Sequence, residues 1–249
     1  NFTILALILL GGLGFLVWED VMRHKLAFRK YLLHTKIMLS ASLLLVAGGA
    51  ILFWLLEKDG LFTGMSGKEQ ALGALFAAVT PRTAGFNTTD LGAMSDGGKL
   101  LTMLLMFIGG GSGSTAGGVT TAVVMVLTAG ATIRRTHGVN IFGRRLEEDA
   151  ITRASTIVMC NILLILAASL FLLALQPAPL TDVFLETFSA MGTVGLSTGL
   201  TRSLLPVSKV VIILLMYCGR LGSLTFALVF AQRRAPAPLR QPAEKIVVG

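Results

Sequence analysis

Two apolar segments of this chain are too short to cross a membrane, and each is followed by the same kind of turn. One runs over about 67–79 and the other over about 181–191. A helix of roughly 12 residues rises about 18 Å, well short of a hydrocarbon core about 30 Å thick. Each segment must therefore turn back inside the membrane. The turns read Thr83-Ala84-Gly85-Phe86 and Thr193-Val194-Gly195-Leu196, and Gly195 lies 110 positions after Gly85. The first lysine of the apolar stretch that follows recurs at the same interval, at Lys99 and Lys209. Non-helical backbone at membrane depth survives only where it is buried in protein or lines water. A Thr-x-Gly turn between a half-helix and a full helix can aim main-chain carbonyls at a dehydrated cation, and glycine reaches the backbone conformation this needs. Each half-helix directs its C-terminal end, which carries partial negative charge, toward the membrane centre. These eight residues are the candidate ion-binding positions. Tight turns in outer loops are the plain alternative, but the shared interval and the half-helix length argue against it.

Composition agrees with a helical membrane protein. Hydrophobic residues make up 54% of the chain, charged residues 14%, and the mean hydropathy is +0.79. The apolar residues fall in blocks of spanning length, predicted as helices over about 37–56, 154–175 and 206–231. Ten-residue alternating segments, the mark of a membrane β-barrel, do not occur. The first apolar run, to about Trp18, is read as the tail of one helix of a longer protein. The formal charge of +8 is not a nucleic-acid signal, because fourteen of the 21 lysines and arginines sit in three linkers on one side. That asymmetry places the linkers and the C-terminus in the cytoplasm. Lys58, Lys68, Lys99, Arg202 and Lys209 are assigned to outer loops.

A second irregularity interrupts the apolar stretch that begins at Asp96. Gly109, Gly110, Gly111, Ser112, Gly113, Ser114, Thr115, Ala116, Gly117 and Gly118 hold six glycines in ten positions, too many for a continuous helix. No strand precedes them and no Gly-Lys-Ser/Thr follows, which excludes a Walker loop. Gly110 follows Gly85 by 25 positions, and Arg220 follows Gly195 by the same 25. A lone arginine in apolar sequence needs polar partners, and carbonyls freed by a broken helix would supply them. A positive charge on an ion path also repels a passing cation, so the glycine loop and Arg220 are read together as a gate. Arg82 is read as a scaffold donating to carbonyls behind the first turn, and Glu186 as an acceptor behind the second. Cys160 and Cys218 are read as small buried side chains, and His24, His34 and His137 as solvated or interfacial linker residues. No transition-metal spacing, Ser-His-Asp arrangement or carboxylate dyad suggests an enzyme. Ser66-Gly67-Lys68-Glu69 has the pattern of a capping box that opens the first half-helix.

The segments TPRTAGFNTT (80–89) and GTVGLSTGLT (192–201) resemble the third and fourth filter regions of the Trk/Ktr/HKT superfamily of potassium transporters. The resemblance extends over nearly the whole chain. It implies an all-α membrane protein of repeated helix–pore-loop–helix, potassium-channel-like units around a pore, with one second helix broken by an intramembrane loop. It places 1–35 as the end of a preceding unit with a cytoplasmic linker, 36–135 as one pore-forming unit and 136–249 as the next. It implies K+ as the transported ion at the filter carbonyls in a bacterial plasma membrane, with Na+ as a candidate second ion for symport or activation. The ending Glu244-Lys245-Ile246-Val247-Val248-Gly249 resembles Ktr-type subunits. That implies a homodimer of the full-length subunit on a cytoplasmic ring of nucleotide-binding, RCK-type regulatory subunits. The rival reading is a non-conducting membrane scaffold or receptor whose glycines only allow close helix packing.

Overall fold

The computed structural model describes residues 2–25, 27–111, 118–134 and 139–221. The described residues are helical apart from turns and one minimal hairpin. In chain order they form α1 (Phe2–Gly11), α2 (Phe15–His24), a 3-10 turn (Phe28–Lys30), α3 (Leu33–Glu57), α4 (Gly67–Val79), α5 (Asp96–Ile108) and α6 (Gly118–Ile133). The hairpin β1 (Asn140–Ile141) and β2 (Arg144–Arg145) follows, then α7 (Glu148–Leu175), α8 (Leu180–Met191), α9 (Leu200–Ser203) and α10 (Pro206–Leu221). The succession long helix, short helix, turn, helix therefore occurs twice.

α3 and α7, at 25 and 28 residues, are each long and apolar enough to cross a membrane. They expose large apolar side chains such as Leu43, Leu44, Leu163 and Leu170, as a helix facing lipid does. Inside, close approach of small residues matters more than exclusion of water. A Cβ at Gly49 of α3 would stand 3.1 Å from the Ala78 Cβ of α4. Phe53, Phe62, Ala74, Ala77 and Leu105 form the core of the first repeat, and Ile165, Leu172, Val183, Ile212 and Leu215 that of the second. α8 lies at the centre, packed on α5, α7 and α10.

The half-helices form as their sequences require. Ser66 Oγ accepts from the Glu69 amide at 3.4 Å, and the Glu69 carboxylate accepts from the Ser66 amide at 2.9 Å, closing the capping box at the start of α4. α5 ends at Ile108 and α6 begins at Gly118, as the glycine run predicts, and Val119 N donates to Gly110 O at 3.0 Å across the interruption.

The leading segment departs from expectation. It is two helices, α1 and α2, bent by 92° at the break. Gly12, Leu13 and Gly14 cause it, with Gly14 at φ +86°. The freed carbonyls find new donors: Leu10 O accepts from Trp18 Nε1 and Gly12 O from Gly111 N, both at 2.9 Å. α7 starts six residues before the expected 154, because Glu148 and Asp149 occupy a first turn that favours carboxylates. His24 lies in α2, not a linker, with Nδ1 2.9 Å from Asp20 Oδ1, and His34 lies in the first turn of α3. Cys160 and Cys218 are free and half-buried.

Candidate functional site

Both turns after the half-helices carry the same backbone signature. Thr83 has φ +64° and Gly85 φ +71°, and Thr193 has φ +53° and Gly195 φ +88°. Positive φ is uncommon for any residue but glycine and costs a β-branched one about 1–2 kcal/mol. It appears at both threonines, each two residues before a glycine, so the two turns hold the same strained backbone. Their amides are bonded backwards. Ala84 and Gly85 donate to Thr80 O at 3.2 and 3.4 Å, Thr193 to Ala190 O at 3.1 Å and Val194 to Ser189 O at 2.9 Å. The carbonyls of Ala84, Gly85, Val194 and Gly195 accept no hydrogen bond among the described residues. Such oxygens are what a partly dehydrated cation needs.

The two turns lie side by side. A Cβ on Gly85 would fall 2.3 Å from Val194 O and 3.6 Å from the Gly195 Cα. Glycine at 85 is thus required twice, by its φ and by the neighbouring turn. Thr83 and Thr193 line one open cleft of about 600 Å³ together with Ile213, Met216, Tyr217 and Arg220. Thr83, Ala84 and Phe86 also face a second, of about 850 Å³, whose other walls include the α1–α2 break, Arg82 and Arg220. Val194 and Leu196 are buried, packed with Met103 and Met106 of α5 and Leu185 of α8.

The model of the family described as "TrkH: Cation transport protein" matches residues 1–236. The chain belongs to this family. The potassium/sodium uptake protein NtpJ of Enterococcus hirae is 41% identical over 98% of the chain and 56% of that relative. The Ktr system potassium uptake protein B of Bacillus subtilis is 37% identical over the whole chain and 56% of its own length. The crystal structure of the potassium transporter TrkH from Vibrio parahaemolyticus has the same fold, with a TM-score of 0.74 and 21% identity over 91% of this chain and 50% of that one. The chain spans about half the length of the relatives it matches. Its family is one of transporters, not enzymes.

The fold also places the other residues that the sequence singled out. Arg220 lies in the last described turn of α10 and lines the cleft shared by Thr83 and Thr193. Gly219 lets α10 meet the end of α8 there, since a Cβ would fall 2.1 Å from Met191 O. Of the glycine loop, Gly109, Gly110, Gly111 and Gly118 are described; Ser112, Gly113, Ser114, Thr115, Ala116 and Gly117 lie outside the described residues, as does the tail with Lys245. Gly111 sits against the α1–α2 break, where a Cβ would fall 2.7 Å from Leu13 O. Arg82 is 3% exposed and donates from Nη2 to Ser42 Oγ of α3 at 2.8 Å, so its partner is a hydroxyl and not the expected carbonyls. Glu186 is buried behind the second turn. It accepts from the hydroxyl of Ser197 and, at 2.6 Å, from that of Thr201. The first turn is braced differently, by the Thr80 hydroxyl on Phe86 O.

Two residues escaped the sequence reading. Lys99, assigned to an outer loop, is a buried residue of α5, with Nζ 3.0 Å from Asp182 Oδ1 of α8. Glu57, just past the helix expected over 37–56, is the last residue of α3; it is fully buried and accepts from Ser95 N and Oγ at 3.0 and 2.6 Å, tying α3 to the cap of α5. A charge within or beside an apolar block, with an opposite charge at the start of another helix, is the signal that could have found Lys99.

Proposed function

We propose that this chain supplies two of four pore-forming units of a potassium uptake subunit in a bacterial plasma membrane. Thr83–Phe86 and Thr193–Leu196 are its part of a carbonyl filter for K+. The observation that carries the reading is the repeated Thr-x-Gly backbone, set edge to edge, with unspent carbonyls. Two such turns cannot enclose an ion, and the other two quadrants come from a polypeptide of the relatives' length. The units are 36–135 and 136–249, and 1–35 closes a preceding unit and links it to them. Arg220, lining one cleft with both threonines, acts as a gate together with the helix break flanked by Gly109–Gly111 and Gly118. The uptake protein names of the relatives support K+ as cargo, and NtpJ's name supports Na+ as a second ion.

The basic linkers face the cytoplasm and an anionic leaflet. The full-length subunit forms a homodimer on a ring of RCK-type, nucleotide-binding regulatory subunits, and the nucleotide does not bind this chain. Uptake of Rb+ into liposomes holding the full-length protein tests the reading. Saturable uptake that K+ competes away and Na+ competes poorly is expected. No uptake above protein-free liposomes, in either the presence or absence of the regulatory subunit, would overturn it.

A further inference from the structure

A filter discriminates by the spacing and field of its carbonyls, so whatever sets one turn against its neighbour sets selectivity. The described turns belong to different repeats. Besides α6 and α7, the helices that hold the repeats together are α5, following the first turn, and α8, preceding the second. Most of their contact is apolar, formed by Met103, Met106 and Leu185. Such contact is non-directional and lets helices slide or roll.

Among the described residues the polar exception is the Lys99–Asp182 pair, joining residues 83 positions apart at the starts of the two helices. Its partners are 11% and 21% exposed at the side chain. Asp182 suits the first turn of α8, where the helix dipole favours a carboxylate, but Lys99 occupies a first turn where that dipole disfavours a cation. Local helix preference therefore does not explain Lys99; the carboxylate across the interface does. A charge-assisted bond at 3.0 Å ties the start of α5 to the start of α8.

We propose that Lys99 and Asp182 are positioning residues for ion selectivity, a clamp that sets the distance between Gly85 and the Val194 carbonyl. The proposal rests on the filter reading above. An ion pair that only aided folding would leave selectivity untouched.

The test uses the full-length protein in liposomes and compares Rb+ uptake with its inhibition by Na+. Replacing both partners by apolar residues, Lys99→Met with Asp182→Leu, avoids stranding a buried charge and keeps the protein folded. The expected result is a K+-over-Na+ preference lowered about tenfold, with the amount of inserted protein unchanged. The exchanged pair, Lys99→Asp with Asp182→Lys, restores the preference to within about threefold of the original. Lys68→Met, which removes an exposed outer lysine, leaves it unaltered. Uptake that falls only with the amount of protein, at unchanged preference, overturns the clamp. So does an equal loss of preference in Lys68→Met, which would assign the effect to surface charge. If the unaltered protein carries no Rb+, the filter reading itself fails, a distinct outcome.

Discussion

At the level of single residues, the glycines of the two turns, Gly85 and Gly195, are not equivalent. Both have positive φ, but a Cβ at 85 would strike the Val194 carbonyl, whereas at 195 it would meet nothing within 4 Å among the described residues. Alanine at 195 should then cost only the backbone strain, about 1–2 kcal/mol. Alanine at 85 must also push the second turn away. Gly85→Ala should therefore abolish selective Rb+ uptake, and Gly195→Ala should retain a measurable fraction; equal effects would mean that the approach of the Val194 carbonyl does not set the two positions apart. Arg220 makes the complementary case. If its charge obstructs cations, Arg220→Ala raises Rb+ flux by roughly tenfold or more, and unchanged flux with unchanged regulation removes it from the gate. The glycines and Arg220 were legible in the sequence through their common intervals. The positive φ of Thr83 and Thr193 was not, because threonine has no intrinsic preference for it and only the surrounding packing enforces it.

At the level of elements, the half-helices, the capping box and the α5–α6 interruption were all readable, since length, cap chemistry and glycine density act locally. The α1–α2 bend was missed although Gly11, Gly12 and Gly14 announce it. It was hidden by an apolar run long enough to suggest one continuous helix. Its freed carbonyls are satisfied by Trp18 and Gly111, and the latter lies almost a hundred positions away, beyond any local pattern. Glu57 was missed for a similar reason: a carboxylate between a helix and a glycine-rich loop reads as solvated until Ser95 is brought to it. Glu57→Ala removes the acceptor for both Ser95 donors and should lower stability by about 1–3 kcal/mol. That appears as a lower melting temperature in detergent, with Rb+ uptake per inserted molecule retained. An unchanged melting temperature would show that α3 does not hold the cap of α5.

At the level of the whole molecule, two repeats whose return turns meet edge to edge suit a central path shared by more units than this chain contains. The relation between repeats, and not the content of either, is the part that sequence could not supply. An interval of 110 positions implies like structures, but it is the packing of α5 on α8, and of α6 on α7, that makes them neighbours. The placement of the turns on a conducting axis is tested most directly by anomalous diffraction from crystals of the full-length protein grown in Rb+. The expected result is Rb+ density on one axis, within coordination distance of the carbonyls beside Gly85 and Gly195 and absent when Na+ replaces Rb+. Rb+ found only elsewhere, or turns that face lipid with no common axis, would contradict it.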